Sequence, residues 1–260
     1  MKFRTPLLTF LLSLSIVAIV HAQQKAETPK LTLEAFEKKL YQSPHPQILD
    51  VRSADEFSEN HLTGAINLVD VERLSFGKKG EAFNKNEPVF VYSINNGRSG
   101  TVANQLRTQG FNEVYELPGG IAHWIGAGKP IESNAGKGIS IEEFRKAIAA
   151  RNLVLVDVGA KHCGGCKKLA PIVDEIGNEQ ADKLKIMKIE LYDNRELVST
   201  LGIEAVPTLI LYKEGKPVWK KSGTMSKAEI QEALSQASSG SSCEGADELM
   251  KKRKSHALNK

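Results

Sequence analysis

Cys163-Gly164-Gly165-Cys166 puts two of the chain's three cysteines three positions apart. That spacing lets two thiols close a small disulfide, and it also suits half of a zinc site. In disulfide exchange the thiolate is the attacking species, so groups that favour the anion matter. Lys161 and His162 stand directly before Cys163, and positive charge there favours thiolate. Asp157 is a carboxylate inside the apolar run Leu153-Val154-Leu155-Val156-Asp157-Val158. A charge in such a run is costly to bury and is normally paired or used. The zinc alternative needs two more ligands at suitable spacing. His162 is adjacent rather than spaced and Cys243 sits in a Ser/Gly-rich tail, so no metal site is expected.

The elements needed to position these groups follow from the pattern. Residues 153–158 read as a buried strand and residues 167–177 as a helix. Cys163 then stands at a helix N-terminus, where unpaired N–H groups and the helix dipole favour an anion. Further along, 184–191, 208–212 and 217–220 read as strands, 193–201 and 226–237 as helices. Ser140 with Glu143 forms a capping box that opens a helix. Upstream, 31–40 has helical spacing, Ser53 with Glu56 is a second capping box, and Ser99 to Gln109 reads as a helix closed by Gly110. Strands are expected at 47–51, 65–68, 88–92 and 113–117. Strands alternating with helices argue for parallel α/β architecture.

The chain has 260 residues, 25% of them charged, with a net charge of only +4. That is room for two domains of ordinary soluble composition. No basic face interleaved with aromatics suggests a nucleic-acid partner. Lys2 and Arg4 precede an apolar stretch from Leu7 to Val20, and Val20-His21-Ala22 supplies small residues for cleavage. Residues 1–22 therefore read as a secretory signal peptide, leaving no stable membrane insertion after cleavage. The expected location is an exported space, the periplasm first, where disulfides persist. Residues 23–30 read as a linker, 133–138 as an inter-domain linker, and 238–260 as a disordered basic tail.

The segments LVLVDVGAKHCGGCKKLAPIVDEI and GIEAVPTLILYKEGKPV, in this order and spacing, resemble a thioredoxin domain over 139–237. The resemblance implies a thioredoxin fold with a mixed central sheet. It implies that Cys163 is the exposed nucleophile, that Cys166 is the buried thiol that resolves the mixed disulfide, and that Asp157 helps deprotonate Cys166. Lys188 matches a modulating lysine near that carboxylate. Pro207 matches a cis-proline facing the disulfide, and Val206 the residue whose backbone pairs with substrate. His162 replaces the usual Trp and Gly165 the usual Pro. These changes, with Lys161, predict a potential above that of thioredoxin. Equilibration with a glutathione series tests this, and a value at or below about −270 mV excludes it.

The segments ILDVRSADEFSENHLTGAINL, VFVYSINNGRSG and ELPGGIAHWIGAGKPI resemble a rhodanese-like domain over 31–132, with a parallel sheet. The family's persulfide cysteine is replaced by Ser93. A hydroxyl cannot carry sulfane sulfur, so persulfide transfer fails at this position. Arg98 and the helix start beyond it could cradle an anion, but a retained docking scaffold is the reading preferred. Asp50 and Arg52 read as a structural pair. The whole implies an exported thiol–disulfide oxidoreductase acting on protein thiols and disulfides. It needs no cofactor beyond the Cys163–Cys166 disulfide, and it needs a membrane electron donor where it works as a reductant. The alternatives are a binding module for an anion or protein partner, and a sulfurtransferase that uses Cys163. Cys243 is the odd thiol and reads as incidental.

Overall fold

Thr32 caps the first helix, its hydroxyl accepting from the Ala35 N–H at 3.2 Å. Helix α1 (Leu33–Gln42) then buries Leu33, Phe36 and Leu40 on one face, as the i, i+3, i+7 spacing dictates. The computed structural model describes residues 30–68 and 83–239. The expected signal peptide, the linker up to residue 29, Cys243 and the tail from residue 240 lie outside the described residues.

The first half contains β1 (Gln47–Asp50), α2 (Ala54–Glu59), β2 (Asn60–His61), β3 (Ile66–Asn67), β4 (Val89–Tyr92), α3 (Gly97–Thr108), β5 (Val114–Glu116) and α4 (Gly120–Gly126). Its four-stranded sheet has the order β3-β1-β4-β5, and every pairing is parallel. All four residues of β4 are buried, which is why it reads as an uninterrupted apolar run. Ser53 with Glu56 forms the capping box at α2.

The second half contains β6 (Glu132–Ser133), α5 (Ile141–Ala149), β7 (Leu153–Gly159), α6 (Gly164–Glu179), β8 (Leu184–Glu190), α7 (Arg195–Thr200), β9 (Thr208–Lys213), β10 (Lys216–Ser222) and α8 (Lys227–Ser239). Its sheet has the order β10-β9-β7-β8. β7 runs parallel to β8 and antiparallel to β9, and β10 is antiparallel to β9. The sheet is mixed, as the resemblance over 139–237 implied.

Two expectations change. Residues 133–138, read as a linker, are tied down. β6 pairs with β2, the Asn134 N–H donates to the Glu59 carbonyl at 2.8 Å, and the Gly138 N–H donates to the Asp193 carbonyl at 2.8 Å. The tail does not start at Ser238, because α8 continues through Ser239.

The halves share a continuous apolar core. It runs from Phe36, Phe90 and Trp124 through Leu117, Ile121 and Ile125 to Leu197, Val198, Ile203 and Val206. Helix α4 packs on α7. A Cβ on Gly126 would collide with the Ile203 carbonyl, so only glycine permits this approach. Arg52, fully buried, donates to both Asp50 oxygens and reaches across to the Tyr192 hydroxyl at 3.1 Å. The expected structural pair thus also bridges the halves.

Candidate active site

Cys163 is the N-cap of α6, and its Sγ accepts from the Cys166 N–H at 3.1 Å. The two cysteines are disulfide-bonded, with Cα atoms 5.2 Å apart. Strand β7 delivers the chain to this point and stops at Gly159. A Cβ on Gly159 would lie 3.5 Å from the Cys166 sulfur, so this face of β7 looks onto the resolving thiol. Side chains two apart on a strand share a face, which puts Asp157 on the same face one step deeper. Burial pushes the Asp157 carboxyl up; Lys188 opposes this and Asp174 adds to it. Lys188 is the registered neighbour of Asp157 on β8. Its ammonium pairs with Asp174 of α6 at 2.6 Å.

The Val206–Pro207 peptide bond is cis, and Pro207 lies against the dithiol. A Cβ on Gly165 would be 3.1 Å from the Pro207 Cδ. A two-glycine linker therefore leaves the proline room at the disulfide. Pro171 sits inside α6, tolerated within a helix at the cost of one backbone hydrogen bond. The helix runs on to Glu179. The expected exposures are reversed in the disulfide: Cys163 is buried, only 2% exposed, and Cys166 is half-buried. Among the described residues, no group of three or more His, Cys, Asp or Glu side chains is placed to hold a metal ion.

The first half touches this centre at two points that the sequence did not reveal. Glu59, at the end of α2, pairs with Lys161 at 2.9 Å and lies 3.8 Å from His162. Its negative charge offsets that of Lys161 beside Cys163 and opposes the raised potential expected there. Asn95, from the loop that begins at Ser93, donates its amide to the Val206 carbonyl at 2.8 Å. Its Oδ1 accepts from the Val206 N–H at 3.4 Å. No local sequence signal could have found this pair, since its members are 111 positions apart.

Ser93 is buried, and its hydroxyl donates to the Asn95 carbonyl at 2.5 Å beside Ser99. One guanidinium nitrogen of Arg98 donates to both Glu56 oxygens, at 3.0 and 3.2 Å. Burial works against the Glu56 charge. The Ser53 N–H and Arg98 nevertheless hold the carboxyl below its usual value. Arg98 is therefore engaged by α2, while the start of α3 has no side-chain cap from Asn96.

A bonded Cys-x-x-Cys at a helix start has the chemistry that thiol–disulfide exchange requires. The thioredoxin family model matches residues 137–236 and the rhodanese-like domain model matches residues 32–127. Over 91 residues the chain is 38% identical to a thioredoxin of Alicyclobacillus acidocaldarius subsp. acidocaldarius, covering 35% of this chain and 87% of that one. A thioredoxin of Bacillus subtilis (strain 168) is 38% identical over 34% of this chain and 85% of its own. One from Acidithiobacillus ferridurans is 43% identical over 30% and 71%. A solved mutant thioredoxin from Halobacterium salinarum NRC-1 shares 30% identity over 38% of this chain and 83% of its own, with a TM-score of 0.34. The chain belongs to the thioredoxin family. It is a thiol–disulfide oxidoreductase with a rhodanese-like domain preceding its thioredoxin domain.

Proposed function

We propose that the chain is an exported oxidoreductase whose redox centre is the Cys163–Cys166 dithiol and whose rhodanese-like domain docks onto and orients that centre. The observation that carries this is the disulfide at the N-cap of α6, lying against the cis-proline loop. In the reducing direction, the Cys163 thiolate attacks a protein disulfide and releases one substrate thiolate, forming a mixed disulfide. Cys166, losing its proton toward Asp157, then attacks Cys163. The second substrate thiol leaves and the intramolecular disulfide re-forms. The two electrons taken by the substrate come from the dithiol, which a membrane electron donor must re-reduce in an exported space. The same steps run backwards for an oxidant. The apolar stretch from Leu7 to Val20 supports export to the periplasm.

The engagement of Arg98 with Glu56 and of Asn95 with Val206 favours docking over anion binding for the first half. Insulin reduction by dithiothreitol tests the reading. The wild type accelerates precipitation, Cys163→Ser abolishes the acceleration, and an inert wild type overturns the proposal.

A further inference from the structure

Val206 lies outside the sheet ladder. Pairing between β7 and β9 begins at Val158 and Thr208, and the cis bond at Pro207 turns the chain before it. Its N–H and C=O are nevertheless both partnered by the single carboxamide of Asn95. A donor and an acceptor of one residue facing the same neighbour form the repeating unit of an antiparallel strand pair. Such an edge takes an extended peptide by backbone pairing. A carboxamide carries the same C=O and N–H as a peptide unit, so Asn95 sits there as one residue of a substrate would.

The loop is built to hold that side chain in place. The Ile121 and Ala122 N–H groups at the start of α4 donate to the carbonyls of Ser93 and Ile94, at 2.9 and 3.1 Å. Asn96 clamps the other flank, donating to the Leu117 carbonyl and accepting from the Gly119 N–H. Gly120 has φ +65, and a Cβ there would strike the carbonyls of Ser93, Ile94 and Asn95. The loop wraps this glycine and has little freedom to swing away. Ile94 belongs to the same apolar core as Val206 and Cys163.

We infer that Asn95 is a specificity-determining residue: it occupies the backbone edge beside the disulfide and biases the enzyme toward small disulfides over extended protein ones. This rests on Cys163–Cys166 being the redox centre. A small disulfide needs only the sulfur and the space next to it. A protein substrate needs the Val206 edge as well and must displace the carboxamide to reach it. Asn95→Ala frees two hydrogen-bonding groups and touches neither thiol.

The test compares kcat/KM for insulin with kcat/KM for hydroxyethyl disulfide. In Asn95→Ala the insulin-to-small ratio rises about tenfold, the scale of two net hydrogen bonds, while the small-disulfide rate stays near wild type. A ratio within twofold of wild type overturns the inference. Should that variant fail to fold, Asn95→Asp decides by the same ratio, since it loses the donor to the Val206 carbonyl. If wild type and variant are inert toward both disulfides, the oxidoreductase reading has failed. The gate is then judged on reduced protein by the alkylation rate of Cys163 with a bulky maleimide. Faster alkylation in the variant upholds it and equal rates overturn it.

Discussion

Glu190 ends β8 at the seam between the halves, and one of its carboxylate oxygens is buried without a partner. Burial is the main reason that its carboxyl is pushed up to about 7. Backbone hydrogen bonds from Tyr192 and Lys161 pull the other way, and Asp193 and Glu59 add to the rise. The folded chain thus keeps this proton at a pH where the unfolded chain, near the ordinary 4.5, has released it. The group's contribution to stability is complete below about 4.5 and is lost as pH rises through about 7. Glu190→Gln removes the titration and leaves a neutral group of the same shape. Its melting temperature should match wild type at pH 4 and exceed it by a few degrees at pH 8. Parallel melting curves for the two proteins across that range would show that the carboxyl does not titrate as the structure implies. Residue chemistry of this kind was half legible. Asp157 stands out in its apolar run, but a Glu at the end of a strand rich in lysine does not, because no neighbour in sequence announces its burial.

Elements whose signals are local were the ones that sequence could place. The capping boxes at Ser53 and Ser140 have donor and acceptor within three residues and form as read. Gly110 takes the left-handed conformation that stops a helix. The hairpin at 213–216 likewise puts Glu214 and Gly215 at positive φ, as its turn requires. Helix α4 escaped because Ile121, Ala122, Trp124 and Ile125 are all buried. A short helix covered on every side has no amphipathic period to read. The two-residue strands β2 and β6 escaped for another reason. They exist only because segments some seventy positions apart meet, and no propensity in Asn60-His61 or Glu132-Ser133 announces it. The site divides along the same line. The dithiol, the carboxylate and the cis-proline lie in one half with short-range patterns around them. Glu59 and Asn95 act on that site across the domain boundary and carry no pattern at all.

At the scale of the molecule, the question is whether the two domains unfold apart. Two bodies joined by a linker would, but here the apolar core runs through the seam. Arg52 ties Asp50 to Tyr192 in full burial, and loss of Asp50 would strand a buried charge. The exposed pair of Glu59 and Lys161 adds little. Beside the packing of α4 on α7, Gly126 faces the carbonyl of Ile203, just past α7, with no room for a side chain. Wild type should therefore melt in one calorimetric transition. Gly126→Val must push the segment at Ile203 away from α4, an overpacking cost of about 1–3 kcal/mol that falls on the seam and not on either sheet. The expected result is a lower melting temperature with the single transition broadened or split, and with it a looser hold of Asn95 on Val206. Two separated transitions already in wild type, or a variant that melts as wild type does, would mean that the halves are only neighbours. The rhodanese-like domain would then be tethered to the redox centre rather than built into it.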